Sequence, residues 1–126
     1  MVSCYKVVPD SNFLMIPFQF GIDIFEELNR LLDVRYEIVL PECVLRELER
    51  LSKKEAKAKA ALELAKKLPL IECSEEDVDE FLYNIASKTV IICTNDKNLK
   101  DKIRKKGSPV IYLRQRKYLD IAGHLK

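Results

Sequence analysis

Tryptophan is absent, histidine occurs once, and glycine and proline together supply only 8 of the 126 residues. That scarcity excludes a collagen-like or low-complexity chain, and 48% apolar with 33% charged residues excludes the core-poor profile of disorder. The longest apolar runs, such as Phe13 to Ile16 and Val90 to Cys93, fall far short of the ~18 to 20 residues that a membrane helix needs. The amino-terminal Met-Val-Ser-Cys-Tyr-Lys lacks the basic start and long apolar stretch of a signal peptide, so the expected location is cytoplasmic. The four cysteines, Cys4, Cys43, Cys73 and Cys93, are too widely spaced for a zinc knuckle and are expected as buried thiols; a disulfide between them is not placed by sequence. The single His124 stands in a terminal Gly-His-Leu-Lys segment and is assigned no role.

What is present is enough for one compact domain, residues 1–126, able to bury about two thirds of its unfolded surface. The net charge of +2 conceals an asymmetry. Residues 1–96 balance to −6 and residues 97–126 to +8. An acidic body with a basic carboxy-terminal quarter suits a protein that uses carboxylates for chemistry or metal and Lys/Arg to hold a polyanion.

Strand-like runs are Cys4 to Val8, Tyr36 to Leu40, Leu70 to Glu72, Thr89 to Cys93 and Val110 to Leu113. They are continuous rather than alternating, as strands covered on both faces are. Helical patterns lie between them: Ile22 to Leu32, Val44 running on to Leu68, Val78 to Ile85, and a last one through Leu99 and Ile103. The alternation implies a three-layer α/β/α sandwich around a mostly parallel sheet of four or five strands. Expected boundaries are Pro41 in a first helical turn, a helix start at Ser74 with Asp77, a cap from Thr94 or Asn95, and a stop at Gly107-Ser108-Pro109. The apolar segment Phe13 to Phe20 has two readings, packing against a second copy of the chain in a homodimer, and burial in the core.

Ligands of open α/β sheets bind outside the carboxyl ends of the strands, where strand order reverses. Asp10 and Asn12 follow the first strand, and Thr94-Asn95-Asp96 follow the fourth. If these strands are neighbours, Asp10 and Asp96 converge, with Ser11, Asn12, Thr94 and Asn95 as polar neighbours. In the helix after Pro41, Glu47 and Glu49 flank the apolar stripe; in the helix after Ser74, Asp77 and Asp79 flank it and Glu80 lies nearly opposite. Clustered carboxylates stay ionised together when cations bind among them, and oxygen ligands suit Mg²⁺ or Mn²⁺. Such sites cleave phosphodiesters. Each residue also has an ordinary structural reading, as a turn, a cap or a solvated helix flank.

At these positions the sequence resembles the PIN domain family. Val7-Val8-Pro9-Asp10-Ser11-Asn12-Phe13-Leu14 is similar to its opening strand and first acid, and Pro41 to Leu48 with Glu47 to its second. Asp79 ahead of Phe81-Leu82 is similar to the third, Glu80 being the alternative because the run Glu75 to Glu80 lacks the Asp-Asp pair of that pattern. Ile91-Ile92-Cys93-Thr94-Asn95-Asp96 is similar to the fourth. The segment from Gly107 to Tyr118 resembles an archaeal branch related to eukaryotic small-subunit rRNA-processing nucleases. The resemblance implies adjacent first and fourth strands and a Mg²⁺- or Mn²⁺-dependent endoribonuclease acting on single-stranded RNA, with Asp10, Glu47, Asp79 and Asp96 as catalytic metal ligands and ribosomal RNA processing as its setting.

The RNA would meet Lys97, Lys100, Arg104, Lys105, Arg114, Arg116 and Lys117 through its phosphates, and Tyr118, read as free, would stack a base; Tyr112 is read as core. Other readings are a non-catalytic RNA-binding or assembly module, a toxin-type ribonuclease of the same family, and a phosphoacceptor signalling domain. The last calls for paired acids at the first strand, where Asp10 stands alone.

Overall fold

The computed structural model describes residues 4–125, so the expected domain limits, residues 1 and 126, and the first three residues of the leader reading lie outside the described residues. A five-stranded sheet forms the middle layer in the order β2-β1-β5-β6-β7, built from β1 (Tyr5–Pro9), β2 (Tyr36–Ile38), β5 (Val90–Cys93), β6 (Val110–Arg114) and β7 (Tyr118–Ala122). All neighbours run parallel except β6 and β7. The helices are α1 (Ser11–Leu14), α2 (Ile16–Phe20), α3 (Ile24–Leu31), α4 (Glu42–Leu51), α5 (Ala56–Ala65), α6 (Val78–Ile85) and α7 (Lys97–Lys105). None of them is long and apolar enough to cross a membrane.

Successive strand residues point to opposite faces, so each central strand feeds two cores. Val7, Ile91, Cys93 and Ile111 meet Phe13, Leu14, Leu28, Leu48 and the alanines of α5 on one face. Val8, Ile92 and Val110 meet Phe81, Leu82, Leu99 and Ile103 of α6 and α7 on the other. This is the three-layer arrangement the alternation implies, and β1 lies directly beside β5, with Val7 opposite Ile91 and Pro9 opposite Cys93.

The structure departs from the sequence reading in several places. The run Tyr36 to Leu40 divides: Val39 N–H still donates to Val7 O at 3.0 Å, but Leu40 N–H turns to Pro69 O at 2.8 Å. Leu40–Pro41 (β3) and Leu70–Ile71 (β4) then form a separate two-stranded sheet. Pro41 has no N–H with which to prolong a ladder. The long helical pattern breaks at residues 52–55, where Leu51 O accepts from both Lys54 and Glu55 N–H, and α5 packs back on α4 through Ala58, Ala61 and Ala65, whose small side chains bury fully.

Helix starts are also sharper than expected. The cap of α6 is Asp77, accepting from Glu80 N–H at 3.1 Å, and the cap of α7 is Asp96, accepting from Asn98 and Leu99 N–H at 2.9 and 3.2 Å. A carboxylate outcompetes Ser74, Thr94 and Asn95 because it also meets the positive end of the helix dipole. The stop at Gly107 stands: φ is 95°, Gly107 N–H donates to Arg104 O and Ser108 N–H to Ile103 O, a Schellman ending.

The apolar segment serves the core first. Phe13, Leu14, Met15 and Ile16 are buried in α1 and the start of α2, whereas Phe18 and Phe20 remain 40% exposed. The strand-like runs of the sequence end at Leu113, and β7 is an addition to them. It returns antiparallel on β6 through Gln115 and Arg116, both left-handed (φ 54° and 57°), the sign pattern of a primed hairpin turn without the usual Asn-Gly signature.

Candidate active site

Because β1 has β2 on one side and β5 on the other, strand order reverses between β1 and β5, and the crevice lies at their carboxyl ends. Asp10 stands at the first of these ends. Its Oδ1 accepts from Phe13 N–H at 2.7 Å, capping α1, and its Oδ2 accepts from the Thr94 hydroxyl. Asp10 N–H donates to Cys93 O at 3.0 Å, which locks the acid to the neighbouring strand. Its residue exposure is 7%. Burial pushes its carboxyl up to about 6; the hydrogen bonds from Thr94 and Phe13 oppose that rise, and the negative charges of Asp79 and Glu47 add to it.

Thr94, fully buried, also accepts from Asp96 N–H at 3.1 Å, so one hydroxyl ties the two strand-end acids together. Glu47 approaches from α4, where Ser11 donates its hydroxyl to Oε1 and Arg50 stands 4.0 Å from Oε2. Asp79 approaches from the first turn of α6. Its carboxyl is raised first by burial, then by the charges of Asp96, Asp77 and Glu47, against the pull of Lys102. The charges of Glu47 and Asp79 thus reach Asp10, and those of Asp96 and Glu47 reach Asp79. Both candidates on α6 are exposed and line the groove against α7; what separates them is charge, since Asp79 acts on Asp10 and senses Asp96 and Glu47.

The expected polar neighbours separate. Thr94 and Ser11 bind the acids directly. Asn95 turns away, its Oδ1 accepting from Leu113 N–H at 2.7 Å, so it fastens β6. Asn12 is exposed, and its engaged atom is the carbonyl that accepts from Met15 N–H.

The expected RNA contacts separate too. Lys97 opens α7 beside Asp96, exposed, and Lys105 lines a groove with Asp79 and Glu80. Lys100 Nζ lies 4.0 Å above the Tyr112 ring, so Tyr112 is half-buried beneath a cation rather than core. Arg104 is turned inward to Ser108 O at 2.9 Å. Arg114 pairs with Asp120 at 2.8 Å across the hairpin, Arg116 and Lys117 form its turn, and Tyr118 is a half-buried strand residue opposite Arg114 rather than a free one. A cation missed in the sequence is Lys102, which lines the groove with Asp79 and lowers its carboxyl. Its spacing, three residues after the buried Leu99 and one before Ile103, marks it as a flank residue of α7.

Among the described residues, no three His, Cys, Asp or Glu side chains close on one point tightly enough to form a metal cage by themselves. The donor set is nonetheless the oxygen-only kind that hard divalent cations take, and such cations complete their shells with water and phosphate. Burial and then neighbouring negative charge raise both Asp10 and Asp79, and a bound cation would oppose both effects.

A family model described as a PIN like domain matches residues 7–116. The chain is 39% identical to Ribonuclease VapC4 of Methanocaldococcus jannaschii over 128 residues, covering 94% of this chain and 98% of that protein. It is 32% identical to the rRNA-processing protein fcf1 of Schizosaccharomyces pombe over 114 residues, covering 85% of this chain but 58% of the relative. Among solved structures, that of the PIN domain endonuclease Utp24 superposes with a TM-score of 0.81 at 28% identity, over 97% of this chain and 94% of that one.

Proposed function

Because the chain belongs to the PIN domain family, we propose that it is a divalent-metal-dependent endoribonuclease cleaving single-stranded RNA, with ribosomal RNA processing as its setting. The observation that carries the reading is Asp10, buried where β1 ends beside β5 and raised to about 6, with the charges of Glu47 and Asp79 reaching it and that of Asp96 reaching Asp79. The ribosomal setting is supported by the likeness to fcf1, and the activity by the likeness to a ribonuclease of similar length and to the endonuclease Utp24.

The four acids would hold Mg²⁺ or Mn²⁺. When bound, such an ion polarises the phosphate and lowers the pKa of a coordinated water. The chain's own residues supply the rest. Thr94 and Phe13 N–H aim the two Asp10 oxygens, Ser11 aims Glu47, and the helix start at Asp96 fixes the fourth carboxylate. Lys97, Lys102 and Lys105 draw the phosphate chain to the crevice without reading bases. Hydrolysis then adds water across a P–O bond, and the leaving ribose oxygen takes a proton.

The test is cleavage of a single-stranded RNA by the purified chain with Mn²⁺, with EDTA, and with Asp10→Asn in Mn²⁺. Cleavage in the first condition alone is the expected result. Cleavage that persists in EDTA or in Asp10→Asn overturns it, and RNA binding without cleavage under any divalent ion moves the reading to an assembly module. Sedimentation at micromolar concentration tests whether a second copy covers Phe18 and Phe20.

A further inference from the structure

We propose that Cys43 and Cys73 form a disulfide site that staples α4 to the segment entering α6. Cys43 lies in the first turn of α4 and Cys73 just beyond β4, 30 residues on, and their Sγ atoms face each other at 2.6 Å, both residues 3% exposed. The backbone around Cys73 is already gripped by α4 on two sides. Its N–H donates to Glu42 Oε1 at 3.2 Å, and its carbonyl accepts from Arg46 Nη2 at 2.7 Å. The sulfurs therefore meet without either element having to move far, which is the geometric condition most cysteine pairs fail. Surface grooves line both sides of the pair, one walled by Cys43 with Arg46 and Ser74, the other by Cys73 with Glu42 and Phe81, so a small oxidant has a route to it.

The bond would form by loss of two protons and two electrons from the thiols to a peroxide, reduced to two waters, or to a small-molecule disulfide, reduced to two thiols. Burial, and then the hydrogen bond from Cys73, push the Cys43 thiol up to about 12, so thiolate is scarce at neutral pH and oxidation is slow. That makes the pair a structural staple rather than a fast sensor. Glu47 sits one helical turn beyond Cys43, and Asp79 lies six residues after Cys73, so the cross-link ties the two elements that carry these acids. It stands apart from the nuclease reading, and either can fail alone.

The test incubates the full chain with oxidised glutathione or hydrogen peroxide, then denatures it in N-ethylmaleimide and maps peptides with and without reductant. The expected result is one reductant-sensitive pair joining the Cys43 and Cys73 peptides, and a melting temperature raised by roughly 10 °C. Both effects should vanish in Cys43→Ser and in Cys73→Ala and persist in Cys4→Ser. Recovery of Cys43 and Cys73 as alkylated free thiols after exhaustive oxidation, or linkage to Cys4 or Cys93 instead, overturns the proposal.

Discussion

The hydroxyl of Thr94 donates to Oδ2 of Asp10 while accepting the N–H of Asp96 at 3.1 Å, so a single buried side chain sets the spacing of two acids that lie 86 positions apart in the sequence. The bond crosses from β5 to β1 at the switch point, and the hydroxyl is used as donor and acceptor at once. Thr94→Val leaves Asp10 with an unsatisfied buried oxygen at a cost of about 1–3 kcal/mol. It should also weaken Mn²⁺ binding or cleavage about 10- to 100-fold, the usual effect of losing a group that orients a ligand. Thr94→Ser restores both, which calorimetry and a cleavage assay on the two variants will show.

Asp10 is held at a cost. Its carboxyl is raised from an unfolded value near 3.8 to about 6, so between those values the native state keeps a proton that the unfolded chain has released, and stability falls as pH rises through the window. The penalty at pH 7 is up to about 3 kcal/mol. Asp10→Asn, which can still cap α1 and still meet the Thr94 oxygen, should be about 1–3 kcal/mol more stable than the parent at pH 7 and equal to it below pH 3.8. Urea unfolding at the two pH values checks this; equal stability at pH 7 contradicts the burial account.

Of the basic residues, Lys102 and Arg114 should separate. Lys102 faces Asp79 in the groove, while Arg114 is engaged with Asp120. Lys102→Ala should weaken single-stranded RNA binding and reduce the slope of log Kd against log salt by about 1, with Arg114→Ala changing the slope less. Fluorescence anisotropy over a range of salt concentrations measures both.

The hairpin turn carries two adjacent left-handed non-glycine residues, each of which costs about 1–2 kcal/mol relative to an ordinary conformation. Arg116→Gly should therefore raise stability by about 1 kcal/mol and, if the turn meets RNA, lower affinity at the same time. Thermal unfolding and RNA binding on the same variant read the two effects.

How much of this was legible in the sequence depends on range. The strands β1, β5 and β6 were visible because residues such as Val7-Val8 and Ile91-Ile92 are apolar on both faces, and the pairing of β1 with β5 followed from a resemblance that spans the chain. Asp10 and Asp96 stood out as candidates from their places at strand ends, whereas Glu47 and Asp79 shared their helix flanks with Glu49 and Asp77 and were singled out by the resemblance. The hairpin return of β7 was not, since Gln115-Arg116 carries none of the glycine or asparagine that marks a primed turn. Nor was the fate of the arginines: Arg104 and Arg114 look like free cations in one dimension and are committed to Ser108 and Asp120 in three. Asn95 illustrates the same limit, because its partner Leu113 lies on a neighbouring strand that the local sequence does not name.

The central claim is that Asp10 and Asp96 share a divalent cation, and Mn²⁺ titration calorimetry at pH 7 on the parent, Asp10→Asn and Asp96→Asn tests it most directly. A single-stranded DNA oligomer in a parallel series stands in for the RNA and supplies phosphate oxygens. The account predicts saturable binding by the parent in at least the oligomer series, weakened about tenfold or more in both variants. Binding equal in all three proteins, or no binding by the parent with or without the oligomer, would contradict it.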